Sequence, residues 1–175
     1  MLVSQTGIRN ASTMIEIIPN WHPIFVHFTV ALFTVSVILY ALIYLASYTH
    51  WNTKPLIVEL DIVARWCLWL AALSTVTTVS AGFYAFYTVK HGAVVHAVKV
   101  IHRNWALASA SAILLMAFWV VWRYIKRQKP TLIFLMVLFL VQVLLLTTAW
   151  YGAELVYRYG YGVLPGKAEK TVSPH

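Results

Sequence analysis

His22 and His27 open one long apolar stretch of this 175-residue chain, and His96 and His102 open another. If both stretches are helices crossing a membrane in the same direction, four imidazoles gather at one membrane face. Ionisable groups at the edge of lipid are costly and mark functional positions. Two imidazoles on facing helices can ligate a haem iron from both sides, a non-covalent b-type arrangement that helix bundles support. The same cluster could take a bare copper or zinc ion, with Glu154 adding a carboxylate. A third reading needs no ligand: each ring lies among headgroups, its apolar body inward and its polar tip in water.

Position ranks the four. His22 falls just before the expected helix, and His27 about one turn inside it. His96 and His102 are six residues apart, so on an ideal helix they point about 120° apart. His27 and His102 lie nearest the apolar interior and form the expected haem pair, with His22 and His96 as alternative ligands nearer the headgroups. Small residues close by, Gly82 and Gly152, would give a flat macrocycle room. Arg103, Arg158 and Lys99 could meet its propionates through charge-assisted hydrogen bonds. Glu154 and Arg158, four apart with the acid first, also suit a simple helical ion pair. His91 has a weaker claim in a loop, His50 lies on the other face, and His175 is terminal.

The elements that position these residues are marked by charge. Hydrophobic residues make up 61% of the chain and charged residues 10%, against about 25% charged in an ordinary soluble domain. No Asp, Glu, Lys or Arg lies between Glu16 and Lys54, Arg65 and Lys90, Arg103 and Arg123, or Lys129 and Glu154. A membrane-crossing helix needs about 20 apolar residues, and each interval supplies them. The runs are continuous rather than alternating, so they read as helices: roughly Pro23–Ser47, Leu60–Val89, Val94–Tyr124 and Thr131–Tyr157. Short connections favour antiparallel neighbours. The expected fold is all-α, an integral-membrane up-down four-helix bundle: an N-terminal segment 1–22, a transmembrane domain 23–159 and an irregular tail 160–175. No internal repeat stands out. Trp21, Tyr48, Trp51, Trp122, Tyr124, Trp150, Tyr151 and Tyr157 form an interfacial aromatic belt.

Other chemistries are largely excluded. The formal net charge of +8 is scattered along the chain, which suits anionic headgroups and not nucleic acid. The lone Cys67 forbids an internal disulfide and a Cys-based zinc site, and in its apolar setting reads as packing. No phosphate-binding glycine loop, G-x-S-x-G or Cys-x-x-Cys-His is present. The hydroxyls from Ser74 to Ser80 read as helix packing. No cleavable signal peptide is visible before Asn20, which could cap the first helix. Basic residues divide seven to six between the two faces, so the count does not orient the chain. The dense turn Arg123, Lys126, Arg127 and Lys129 favours a cytoplasmic side there, with the histidine face and both termini outward.

The segment His22-Pro23-Ile24-Phe25-Val26-His27-Phe28-Thr29-Val30-Ala31-Leu32 resembles the opening H-P-x-x-V-H-F-x-x-A-L of a bacterial four-helix membrane family, domain of unknown function 2231. Gly152, Leu155, Val156, Tyr157, Gly160, Gly162 and Val163 resemble its closing G-G-x-L-V-Y-x-x-G-x-G-V, with Ala153 replacing the second glycine. His102-Arg103 falls where similar proteins often carry His-Arg. The resemblance spans Trp21 to Val163. It implies a multi-pass protein of the bacterial inner membrane, in the company of cytochrome c-type or Rieske-like modules. The expected function is therefore a b-type cytochrome subunit of a membrane redox complex, exchanging electrons with a quinone pool and an outward partner. Such a subunit is a carrier, not an independent enzyme. The alternatives are a cofactor-free structural or anchoring subunit, or a copper- or zinc-binding membrane protein.

Overall fold

The computed structural model describes residues 21–47, 54–88 and 93–161. They form four helices: α1 (His22–Ala46), α2 (Lys54–Thr88), α3 (Ala93–Ile125) and α4 (Leu132–Tyr157). No strand occurs among the described residues. Every boundary but one agrees with expectation within one residue, and two of the helix starts carry meaning. His22 is the first residue of α1, with Pro23 in the first turn, where its missing N–H is harmless. Helix α2 starts at Lys54, six residues before Leu60, because Pro55 also fits a first turn and the charged segment Lys54–Arg65 keeps helical phase. Trp21 occupies the N-cap of α1, without a side-chain capping bond. Thr131 caps α4, its hydroxyl accepting from the Phe134 N–H at 3.3 Å.

By length and composition, α1, α4 and the Val95–Ile125 part of α3 can cross a membrane. Helix α2 is the longest, at 35 residues, but Ser74, Thr75, Thr77, Thr78 and Ser80 dilute its apolar stretch. Several of those hydroxyls donate to carbonyls one turn back: Thr75 to Ala71 at 2.8 Å, Thr77 to Leu73 at 3.5 Å, Ser80 to Val76 at 2.9 Å. That satisfies them without a partner helix, which a low-dielectric setting demands. Antiparallel neighbours form a ring in which α1 meets α2 and α4, and α3 meets α2 and α4. Helices α1 and α3 stand on one diagonal.

The interior is a mainly apolar core that also holds buried hydroxyls, and the outer surface is apolar, as lipid allows. Thr29 and Ser36 of α1 are buried, while Phe28, Val35, Ile38, Leu42 and Leu45 face outward. Phe33, Leu68, Ile113, Phe134 and Leu138 fill the centre.

The structure also corrects the expectation that the chain holds no internal repeat. The buried residues of α2, namely Ala64, Leu68, Ala71, Ala72, Thr75 and Ala85, recur at a constant offset as Phe134, Leu138, Val141, Gln142, Leu145 and Leu155 of α4. Thr29, Phe33, Ser36, Tyr40 and Ile43 of α1 likewise recur as Ser109, Ile113, Met116, Val120 and Arg123 of α3. The α1–α2 hairpin and the α3–α4 hairpin thus bury equivalent positions, although α1 and α2 pack more extensively on each other than α3 and α4 do. A sequence trace survives: Thr77-Thr78, Gly82 and Tyr87 are matched in spacing by Thr147-Thr148, Gly152 and Tyr157. It escapes notice because side-chain types changed at most positions while burial did not.

Candidate functional site at the helix starts

The first turn of α1 and the lower third of α3 bring His22 and His102 together, not His27 and His102. The two rings have centroids 6.3 Å apart and planes at 81°. Each is held by its own hairpin in the same way. His22 Nδ1 lies 2.9 Å from the Thr78 carbonyl of α2, and His102 Nδ1 lies 3.1 Å from the Thr148 carbonyl of α4. A carbonyl can only accept, so both rings carry their proton on Nδ1 and a lone pair on Nε2.

One layer deeper, the Thr29 hydroxyl pairs with that of Thr78 at 3.0 Å, and Ser109 with Thr148 at 2.8 Å. These bonds lock each hairpin in register beneath its histidine. Gly82 and Gly152 complete the match. A Cβ on Gly82 would stand 3.0 Å from the His22 ring, and one on Gly152 would stand 3.1 Å from the His102 ring. The glycines therefore admit the imidazoles to the helix backbones.

The other expected residues fall elsewhere. His27 is exposed, its Nδ1 donating to the Pro23 carbonyl of its own helix at 2.5 Å. The reason is helical phase: the inner face of α1 runs through His22, Thr29 and Ser36 at sevenfold spacing, and His27 lies on the outer side. His96 is exposed too, its ring 6.4 Å from that of Phe86. Arg158 is mostly exposed and bound to Glu154 at 2.8 Å, the simple ion pair, which holds its guanidinium above its ordinary pKa. That pairing gives both Glu154 and Arg158 a partner on their own helix end. Cys67 is a partly buried free thiol. Among the described residues, no three or more His, Cys, Asp and Glu side chains converge as a metal site. The bare-ion arrangement of four histidines plus Glu154 is thus not assembled.

Two cations do gather near the pair. Lys99, buried on α3 one turn before His102, donates to the Phe86 carbonyl at 2.5 Å and sits 4.1 Å above the Phe86 ring. Arg103 approaches the same ring at 5.3 Å. Tyr161, beyond α4, closes over them: its hydroxyl donates to the Ala85 carbonyl at 3.0 Å, and its ring lies 5.5 Å from the Lys99 ammonium. Burial pushes the Tyr161 phenol up. The left-handed backbone at Gly160, φ 60°, makes that turn possible. Lys99 was legible as a cation of this face, whereas nothing in the sequence marked Tyr161. His50, His91, His175, Asn20, Gly162 and Val163 fall outside the described residues.

The family model described as a predicted membrane protein, DUF2231, matches residues 19–165. No curated protein and no solved structure matches the chain. The match covers most of the sequence, and the chain belongs to this family.

Proposed function

We propose that this member of the DUF2231 family is a multi-pass membrane electron carrier holding one non-covalent b-type haem between His22 and His102. The observation that carries the reading is the pair itself: two imidazoles on diagonal helices, each fixed by a carbonyl, with ring centres 6.3 Å apart. Two imidazoles that share one metal, each about 2 Å from it, have ring centres roughly 6 Å apart. Metal-bound histidines typically donate their other ring N–H to a carbonyl or carboxylate, which fixes the tautomer and raises ligand basicity. Both rings already have that support.

The donor count favours haem over a bare ion. A porphyrin iron needs only two protein ligands, whereas copper or zinc held by two imidazoles alone is under-coordinated. Lys99 and Arg103, which flank His102 in sequence and gather at Phe86, would offer positive charge to haem propionates. Bound haem supplies reversible one-electron chemistry at iron. The protein's own residues hold the imidazoles, set their tautomer and surround them with low-dielectric packing. A carrier of this kind works as a subunit of a larger redox complex, passing electrons between a quinone pool and an outward cytochrome c-type or Rieske-like partner.

The test is the visible spectrum of the purified protein. We expect a reduced-minus-oxidised b-type α-band that disappears in His22→Ala and in His102→Ala but survives in His27→Ala and His96→Ala. A preparation that stays colourless after haem addition overturns the reading and leaves a structural subunit. Loss of the band in His27→Ala with retention in His22→Ala overturns the ligand assignment.

A further inference from the structure

We propose that the groove between α2 and α3, at the end of the bundle opposite the histidines, is a binding site for the headgroup of an anionic phospholipid. Its donors are Arg65 and Trp69. They lie four residues apart on α2, so they share a face about one turn apart along the axis. Arg65 Nε and Trp69 Nε1 are both buried and, among the described residues, neither has a hydrogen-bond partner. Arg65 Nε forms an ion pair with Asp61 one turn back, at 3.6 Å, a separation too long for a hydrogen bond, so the Nε–H proton itself has no acceptor. Buried donors without acceptors are costly and call for an explanation.

The internal repeat supplies a control. In the equivalent groove between α4 and α1, the positions of Arg65 and Trp69 are held by Leu135 and Phe139, while Tyr124 is matched by Tyr44. The packing scheme therefore stands without either donor, and folding does not require them where they occur. Tyr124 covers both: the Arg65 guanidinium lies 4.2 Å from its ring centre, and the Trp69 ring lies 6.3 Å away. Tyr124 is itself 55% exposed, so rotation of this one side chain opens both donors to the groove.

Charge and depth select the occupant. The nearby turn adds Lys126, Arg127 and Lys129, against Glu59 and Asp61, so this end is net positive. Basic pockets between membrane helices recruit anionic headgroups. Exposed Trp66 beside Trp69 marks the interface level. Arg65, at the end of the charged segment, meets the phosphate. The Trp69 N–H, one turn deeper, meets a glycerol ester carbonyl. The Asp61 carboxylate, one turn outward from Arg65, partly offsets the positive charge and limits the site to a single anionic group.

The test is native mass spectrometry of the detergent-solubilised full chain titrated with dioleoyl phosphatidylglycerol or dioleoyl phosphatidylcholine. We expect one retained phosphatidylglycerol per chain, bound about fivefold more tightly than phosphatidylcholine. Arg65→Leu and Trp69→Phe install the residues of the other groove and should abolish that preference. The reverse pair, Leu135→Arg with Phe139→Trp, should add a second bound lipid. Equal retention of the two lipids by the unmodified chain overturns the proposal without relying on any variant. So does a preference unchanged in Arg65→Leu. Displacement of phosphatidylglycerol by inorganic phosphate assigns the groove to a soluble anion and overturns the lipid reading.

Discussion

At the histidine end, the two hairpins use the same parts twice: a ring on the odd-numbered helix, a threonine carbonyl and a glycine on the even-numbered one, and a hydroxyl pair between the two. At the arginine end the same scheme holds different parts. Ala64 and Phe134 occupy equivalent positions, both fully buried; Tyr40 stands opposite Val120 in the repeat, and Ile43 opposite Arg123. There the bulk comes from one side. Phe134 packs edge-on against Tyr40 at 5.0 Å and Trp119 at 5.5 Å, with the Arg123 guanidinium 4.5 Å from its ring. Arg123 in turn donates to the carbonyls of Gln128 and Lys129 and fastens the α3–α4 turn. Equivalent residues kept alike at one end, and allowed to diverge at the other, separate what the fold needs from what a site at the axis needs.

The largest effect should come from removing the asymmetric bulk. Phe134→Ala gives both hairpins alanine at that position and should cost about 3 kcal/mol through the cavity it leaves, read as a fall in thermal unfolding temperature in detergent. An unchanged transition would mean that Tyr40 and Trp119 collapse into the space. Next come the glycines. Gly82→Ala and Gly152→Ala should each cost about 1–3 kcal/mol through overpacking, because the new methyl would press on an imidazole. The two losses should be similar; a large inequality, measured by the same unfolding assay, would break the equivalence of the hairpins. The smallest effect belongs to the hydroxyl pairs. Thr29→Val and Ser109→Ala should each cost about 0.6 kcal/mol, the usual worth of a hydrogen bond between membrane helices. A double variant whose loss exceeds the sum of the two would show that the hairpins are coupled through the histidines.

Much of this architecture was legible in residue order. Charge-free intervals located all four helices, and Pro23, Pro55 and Pro130 marked where they begin, because proline is harmless only in a first turn or before it. His102 and the cationic surroundings at Lys99 and Arg103 were legible too. That His22 rather than His27 lies beside His102 has a physical reason. Nearness to the apolar interior does not separate them, because in lipid an apolar neighbourhood marks the outside of a helix as readily as the inside. The useful signal was phase: His22, Thr29 and Ser36 recur every seven residues, and buried hydroxyls in a membrane helix face protein. The contact of Gly82 and Gly152 with the imidazoles could not be read either, since only the fold brings those rings against the helix backbones. The repeat was visible in Thr77-Thr78, Gly82 and Tyr87, but only burial makes it convincing across 70 or 80 positions of otherwise altered sequence.

The two matching hairpins have a consequence for how the chain enters its membrane. A unit that crosses twice returns to the side it left, so a second copy placed behind it inserts with the same polarity as the first. One arrangement of flanking charges then serves both copies, and no reversal of topology is needed. The symmetry axis of such a parallel repeat runs along the membrane normal, unlike that of an inverted repeat, which lies in the membrane plane. His22 and His102, which that axis relates, therefore lie at one depth along the membrane normal.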